Sequence, residues 1–493
     1  SDRTIALRTE TCNLCSNHCK IAFADIQGEP DAPSWGYMCG RDPDDTRVRV
    51  NEHFRPFQNR LQLHSAEHQP PASPPVATVG LPRGLVTFSY LPMWQRFFAE
   101  LGAAVRLSTR TSEATVAAGN ELSAADFCFP VKLAHGAAAE LAADPAVDFL
   151  FIPHMIQADP NPATTGTHFC PYVQAFPSVV RSALRLRGAD DRIVSPVINL
   201  RESPRRQVSA LHAALADRLR VTRGRVAAAW RAARRAWRAH LEARRQEGRR
   251  VLAELAASGQ KAIVFLGRPY NILDLHANLA LPRKVAELGL RVIPMDILPY
   301  DIARLNPAFR GMYWQYGQHV LAAAEFVRNH PDLFAICLTN FSCGPDSFLL
   351  TFVDDIFGDK PWLVIELDEH GGDAGYLTRI EAFLDVVRSW KTKPRKPYSL
   401  PSAPCSVAAV RSRKLWIPPM HPFASRLFAA GFRSEGFDAE VLPPEDVPTF
   451  DLGRALTRGS ECLPAALTTG AVIRALRERP GERHALFMPC AEG

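Results

Sequence analysis

Short apolar runs of strand length alternate with stretches of helical periodicity along most of the chain. The first set predicts a strand at Leu85–Ser89 and a helix over Pro92–Leu101, with Trp94, Phe97 and Phe98 on its apolar face. A strand at Ala103–Leu107, a helix through Lys132 and Leu141, and a strand at Val147–Ile152 follow. Ala and Leu at helical spacing predict one long helix from Ser209 to Ala257. Beyond it, strands are expected at Lys261–Leu266, Leu290–Ile293, Leu333–Thr339 and Trp362–Ile365. Helices carrying Asp274, His276 and Asn278, and one starting at Thr378, lie between and after them. A third set opens with a strand at Leu415–Ile417, places Pro422 and Phe428 in a helix, and ends on a strand at His484–Pro489. Strands separated by helices of this length predict parallel, doubly wound sheets.

The expected fold class is therefore α/β, with tandem flavodoxin/Rossmann-like domains and a small N-terminal cysteine-rich module. Residues 1–57 form that module, and 58–82, rich in His, Pro, Ala and Ser, read as a linker. Residues 83–258 read as a first α/β domain ending in the Arg-rich helix, and 259–390 as a second. A Pro/Lys-rich linker, 391–410, precedes 411–493, the start of a repeated α/β domain that is cut short. The repeat is visible directly. Cys128, Pro130 and Gly136 recur as Cys462, Pro464 and Gly470, and in both copies a glycine-led strand pattern starts 26 positions before the cysteine, at Gly102 and Gly436. The chain starts without Met and stops at Cys490-Ala-Glu-Gly493, just after a strand pattern, so it reads as a segment of a longer polypeptide.

Composition changes this picture little. Of 493 residues 47% are apolar and 22% charged, as in ordinary globular proteins. No apolar run approaches the ~18 residues needed to span a bilayer, and no secretory signal is visible, so a cytoplasmic protein without membrane contact is expected. The net charge of +7 comes from arginines crowded into Arg201–Arg250. Without interleaved aromatic stacking residues, that stretch reads as a solvated helix face rather than a nucleic-acid groove.

Eleven cysteines in a reducing compartment are more in keeping with ligands or nucleophiles than with disulfides. Cys337 lies inside an apolar strand and reads as core, while Cys405 lies in a linker and receives no role. Cys12-x2-Cys15-x3-Cys19 with Cys39 specifies a metal site. A [4Fe–4S] cluster and a structural zinc ion both use four cysteines, and the tandem spacing favours iron–sulfur. The spacing order is the reverse of the radical-SAM arrangement, and the Cys-Pro ending of a ferredoxin run is missing. Cys128, Cys170 and Cys343 each follow a strand, where ligands of such sheets bind, and can face one crevice. The helix starting after Cys128 is expected to favour a thiolate there. His135, Lys132, His276 and Glu461 are polar residues in or beside these motifs and the weak candidates for proton transfer.

Five ordered motifs carry a family resemblance: Cys128-Phe-Pro-x-Lys, Cys170-Pro, Gly267-Arg-Pro-Tyr-Asn, Ser342-Cys-Gly-Pro-Asp-Ser347, and the Asp-Glu-His/Ala-Gly/Thr-Arg run near Asp368–Arg379. They resemble the 2-hydroxyacyl-CoA dehydratase activase-related proteins of the acyl-CoA dehydratase activase and double-cubane cluster superfamily. The resemblance implies a fragment lacking N-terminal ATPase domains and the C-terminal end. It implies an iron–sulfur protein fed by an ATP-hydrolysing activator, with ATP used only by that activator and a small molecule or acyl-CoA as substrate. It further implies Cys128, Cys170 and Cys343 as ligands of one [4Fe–4S] cubane, or of a double-cubane [8Fe–9S] cluster, with Cys462 and Cys490 starting a second set; a homodimer is compatible with it. Three thiolates leave one iron without a protein ligand, and backbone N–H groups that Gly136 and Gly344 leave accessible would tune the potential. No Walker-type Gly-x4-Gly-Lys-Ser/Thr run is present. The expected activity is that of an ATP-dependent iron–sulfur reductase or dehydratase-type component. The alternatives are an electron-transfer scaffold of the activator and a zinc-stabilised interaction protein.

Overall fold

A computed structural model describes residues 5–12, 20–27, 32–36, 51–65, 74–185, 190–370, 373–391, 406–459 and 461–489. The chain begins with an antiparallel sheet of β1 (Ile5–Thr11), β2 (Lys20–Ile26) and β3 (Ser34–Trp35), followed by α1 (Arg55–Ser65). A first parallel sheet then forms from β4 (Thr78–Leu81), β5 (Ala104–Leu107), β6 (Phe149–Phe151) and, after the short β7 (His154–Met155), β8 (Ile193–Val194). Its order is β5-β4-β6-β8, and β7 pairs with β9 (Val197–Ile198) as a parallel extension. The helices of this unit are α2 (Thr87–Leu101), α3 (Glu113–Leu122), α4 (Phe129–Ala143), α5 (Pro171–Arg185), α6 (Pro204–Leu219) and α7 (Arg223–Ser258).

The second sheet contains β10 (Ala262–Gly267), β11 (Arg291–Pro294), β12 (Leu333–Asn340) and β13 (Trp362–Leu367), in the order β11-β10-β12-β13 and parallel throughout. Every residue of β10 and β12 is buried, as parallel strands covered on both faces require. Its helices are α8 (Pro269–Leu273), α9 (Leu281–Glu287), α10 (Gln315–Asn329), α11 (Gly344–Phe357) and α12 (Asp373–Ser389). After α13 (Val407–Arg411), a third unit places β14 (Lys414–Ile417) between β15 (Asp438–Val441) and β16 (His484–Leu486), again parallel. Its helices are α14 (Ala424–Ser434), α15 (Val447–Arg454) and α16 (Leu463–Glu478). The chain is thus mixed α/β with several parallel sheets. Among the described residues no helix is long and apolar enough to cross a membrane.

Several expectations are corrected. Leu85–Ser89 is not a strand: Thr87 opens α2, and the first strand of the sheet is β4, an inner strand that lies inside the stretch read as a linker. That stretch also holds most of α1, whose Phe57 packs edge-on against Phe265 of β10 at 5.7 Å. The run Leu85–Ser89 has strand propensity, but it leads into α2, whose Tyr90 packs on Trp237 of α7. The single Arg-rich helix is two helices. Arg220 adopts a left-handed φ of 51°, and the Thr222 side chain accepts a hydrogen bond from the Arg225 N–H to start α7 afresh. Asp274, His276 and Asn278 lie in the turn between α8 and α9 rather than in a helix.

A buried charge cluster joins α1 and α7 to the second sheet. Arg60 donates to Asp296 at 2.8 Å, and Arg244 of α7 reaches the same carboxylate at 3.1 Å. Beside them His240 stacks on Trp237, and His319 lies between the Tyr300 hydroxyl at 3.0 Å and the Gln315 amide at 2.9 Å.

The third unit repeats the first down to individual contacts. A Cβ on Gly136 of α4 would meet the Thr115 carbonyl oxygen of α3 at 2.1 Å, and one on Gly119 would meet that of Lys132 at 2.1 Å. The same reciprocal contact recurs as Gly470 on Thr449 at 1.8 Å and Gly453 on Ala466 at 1.7 Å. Gly136 therefore lets two helices touch; it does not expose a backbone N–H to a cofactor, as the sequence suggested. Gly136→Ala and Gly470→Ala are each expected to cost about 1–3 kcal/mol, the usual range for overpacking. The loss should show as faster amide exchange confined to α3–α4 or α15–α16. Unchanged exchange in both variants would mean that the helix pairs part freely.

Candidate functional site

Four cysteines stand at helix starts, each next to a proline that pre-forms the first turn. Cys128 is the N-cap of α4 with Pro130 behind it, Cys343 that of α11 with Pro345, and Cys462 that of α16 with Pro464; Cys170 immediately precedes Pro171 at the start of α5. Ser342, with a left-handed φ of 60°, turns the chain out of β12 to present Cys343. A non-glycine residue in this region marks a constrained position.

Between these thiols lies the Gly267–Leu273 turn. Gly267 has φ 137°, and a Cβ there would fall 2.4 Å from the Leu338 carbonyl oxygen, so only glycine lets the turn lie against β12. Asn340 Nδ2 donates to Asn271 Oδ1 at 3.0 Å, and Asn278 Nδ2 to the Asn271 and Ile272 carbonyls at 2.8 Å, holding the turn in place. The turn delivers Arg268, which is buried and donates to Asp346 at 2.8 Å and to the Cys343 sulfur at 2.9 Å. Thr339 donates to the other Asp346 oxygen at 2.6 Å.

Arg268 and Tyr270 interact electrostatically with all three of Cys128, Cys170 and Cys343, so the thiols from the first and second sheets share two neighbours. Burial pushes Cys128 up to about 11, with Arg268 pulling the other way. Burial likewise pushes Cys343 up to about 12 against the same guanidinium. The helix N-terminus was expected to favour a thiolate at Cys128, but desolvation outweighs it. Burial also opposes the Arg268 charge, yet Asp346, Cys343, Tyr270 and Cys170 hold it well above its ordinary value. Among the described residues no three of His, Cys, Asp and Glu are grouped to hold a single metal ion.

Residues 78–298, from β4 to the turn after β11, carry Cys128, Cys170, Arg268 and Tyr270. They match the CoA enzyme activase uncharacterised domain (DUF2229). The match supports the acyl-CoA dehydratase activase-related family that the motifs resemble; Cys343 and Cys462 lie beyond the matched residues. No curated protein matches the chain.

The other expected site residues are placed as follows. Lys132, one turn beyond Cys128, bridges to Glu369 at 2.6 Å and Asp126 at 3.1 Å, fastening α4 to the loop after β13. His276 lies 3.4 Å from Glu113, beside a hydrogen bond of 2.5 Å from Thr111 to the buried Asp274. Both contacts join the first and second sheets. His135 is buried between Phe127 and Phe176, with Nδ1 at 2.8 Å from the Val131 carbonyl and burial holding its pKa below the ordinary value. Glu461 accepts from the Arg458 backbone N–H at 3.0 Å. Cys12 is half-buried at the end of β1, while Cys15, Cys19, Cys39, Cys405 and Cys490 lie outside the described residues. Cys337 is buried in β12.

One juxtaposition was not foreseen. Cys462 lines a pocket of about 580 Å³ together with Cys343, Asn340, Glu366 and Arg458. The expectation grouped Cys462 with Cys490, which lies outside the described residues; the structure places Cys462 in one pocket with Cys343. Arg458 bridges to Asp354 of α11 at 3.0 Å across the same boundary. Arg268 itself was legible only as part of a turn motif. Its partner Asp346, three residues beyond Cys343, was legible only as part of a second motif, and nothing in the sequence pairs the two.

Proposed function

We propose that this chain is an iron–sulfur redox component related to acyl-CoA dehydratase activation, with Cys128, Cys170 and Cys343 holding the cluster. The observation that supports the reading is that three half-buried thiols, from two different sheets, share Arg268 and Tyr270 as electrostatic neighbours. Their chemistry fits a cluster better than a single ion. A cluster gives each thiolate its own iron, so its ligands need not crowd together as those of one ion do. Buried thiols with raised pKa values also require a nearby positive core before they ionise. When bound, the cluster would supply one-electron transfer at a potential set by its surroundings.

The chain's own residues then have definite tasks. Arg268 offsets thiolate charge and donates to the Cys343 sulfur, the kind of hydrogen bond that raises a cluster's potential. Tyr270 and the apolar wall around Cys128 restrict water. Lys132–Glu369 and Thr111–Asp274 hold the two sheets at the spacing the three thiols need. The activase family implies a dehydratase partner, and the electrons would come from an ATP-hydrolysing activator.

The test is anaerobic purification with iron, sulfide and zinc quantified and the EPR spectrum recorded. Cys128→Ala, Cys170→Ala and Cys343→Ala should each lose the iron and the signal assigned to this site. Stoichiometric zinc without iron, or iron unchanged in all three variants, would overturn the assignment. ATP-dependent reduction of the wild-type signal by an added activator distinguishes a redox component from a scaffold.

A further inference from the structure

The pocket that Cys343 shares with Cys462 carries polar groups that no thiol needs. It opens at the carboxyl end of β12, where the strand order of the second sheet reverses between β10 and β12. Open parallel sheets bind their ligands at this point. Its volume of about 580 Å³ falls in the range of small-molecule sites, about 300–1,000 Å³. Asn340, the last residue of β12, lines the pocket and is 3% exposed. Its amide orientation is fixed: Asn271 turns its own Nδ2 to the Leu338 carbonyl at 3.4 Å and presents Oδ1 to Asn340 Nδ2 at 3.0 Å. Asn340 Oδ1 is left as an acceptor with no hydrogen-bond partner among the described residues. A buried oxygen of this kind requires a donor.

The rest of the lining sets the charge of that donor. Glu366 of β13 and Glu461, on the loop before α16, contribute two carboxylates. Glu461 accepts from the Arg458 backbone N–H at 3.0 Å, a neutral donor that leaves its charge in place. The guanidinium of Arg458, the cation of the lining, is already matched by Asp354 at 3.0 Å. Phe341, next to Asn340, also lines the pocket and is 63% exposed, so its ring face is open to a cation. A cleft lined by charge of one sign concentrates ligands of the other.

We infer that this pocket binds a small molecule through a primary ammonium group. Asn340 Oδ1 accepts one of its N–H groups, Glu366 and Glu461 supply the opposite charge, and the Phe341 ring covers one face. An ammonium carries several donors on a single cation, which is the combination that a buried acceptor, two carboxylates and an aromatic face hold together. A carboxylate or phosphate would meet like charge and bring no donor to Asn340. A neutral hydroxyl would satisfy Asn340 but leave both carboxylates without a counter-charge. None of the groups named is a thiol, so the site stands whether or not Cys343 holds a cluster.

Cys462 is exposed and lines the same pocket, so it serves as the reporter. The full 493-residue chain, kept anaerobic, is treated with cationic aminoethyl methanethiosulfonate or anionic sulfonatoethyl methanethiosulfonate. Peptide mass spectrometry follows the modification of Cys462, and each rate is divided by that of free N-acetylcysteinamide. The cationic reagent is expected to react on the order of tenfold faster than the anionic one. Cys462 caps α16, and a helix N-terminus alone favours the anionic reagent, so the two readings predict opposite signs. Glu366→Gln together with Glu461→Gln should return the ratio to that of the free thiol. In a second arm, butylammonium, butanol and butyrate are compared at equal ionic strength for protection of Cys462 from methyl methanethiosulfonate. Butylammonium alone should protect. Asn340→Leu should weaken that protection about tenfold with the charge ratio unchanged, and Phe341→Leu, at an exposed position, about threefold. A charge ratio at or below that of the free thiol overturns the proposal, as does equal protection by butanol or butyrate. So does protection that both Asn340→Leu and Phe341→Leu leave intact. These rates are read at Cys462 rather than from iron, so failure of the cluster assignment would leave them unchanged.

Discussion

Replacing Arg268 with leucine is expected to cost about 3–5 kcal/mol of folding free energy in the second domain, because it leaves Asp346 as a buried, uncompensated charge. The guanidinium and the carboxylate are both nearly inaccessible and meet at 2.8 Å, so solvent can replace neither partner. Thr339 still donates to Asp346, but one neutral hydrogen bond compensates a buried anion poorly. The double variant Arg268→Leu/Asp346→Leu should recover most of the loss, since it removes both charges from the low-dielectric site. Exchange of the slowest β10 and β12 amides reports the stability of this domain without requiring the whole chain to unfold in one step. If Arg268→Leu lay within about 1 kcal/mol of the unaltered protein, or if the double variant were as unstable as the single, the pair would carry no such charge balance.

Mild acid is expected to loosen the seam between α1, α7 and the second sheet. Burial, aided by Arg60 and Arg244 and opposed by Asp296, holds His240 down to about 3 from an ordinary 6.5. Burial, aided by Arg244 and Arg245 and again opposed by Asp296, holds His319 down to about 4. Both folded-state values lie below the unfolded one, so between about pH 6.5 and pH 4 the unfolded chain takes up protons that the folded chain refuses. Stability is fully present above pH 6.5 and declines by about 1.4 kcal/mol per pH unit for each histidine as the pH falls through that window. Carboxylates add their own acid dependence, so the informative quantity is the difference between variants. His240→Phe and His319→Gln should each reduce the slope of unfolding free energy against pH by about one proton between pH 6 and pH 4.5. Slopes unchanged in both variants would mean that these rings reach solvent before the domain unfolds.

The parallel sheets were legible because β10 and β12 are apolar at nearly every position, a pattern that covered parallel strands share. The repeated Cys-x-Pro device was legible because a thiol, a proline and a glycine kept their offsets across 334 residues, from Cys128 to Cys462. The partner of that glycine was not: Gly119 meets the backbone of Lys132, a contact that leaves no hydrophobic period to read. Leu85–Ser89 misled because its side chains suit a strand, while Trp230 and Trp237, which pack on the helix it enters at Trp94 and Tyr90, come from a helix far downstream. The break at Arg220 has no glycine or proline to announce it. The electrostatics of the site depended on Arg268 and Asp346, 78 positions apart, and on a depth of burial that sequence spacing does not encode.

The turn out of β12 gives Cys343 neighbours of two different kinds. On one side it is hydrogen-bonded to Arg268, which is locked to Asp346 and to a turn that only glycine can make. On the other it opens into a pocket whose opposite wall, including Cys462, belongs to the repeated unit and is tied across by the half-exposed Arg458–Asp354 pair. Exposed ion pairs contribute little rigidity. The residue is therefore an asymmetric junction between two copies of one device, with a fixed terminal toward the first copy and an adjustable one toward the second. A small rotation of the repeated unit would change what Cys343 meets on its open side while leaving the Arg268 side untouched.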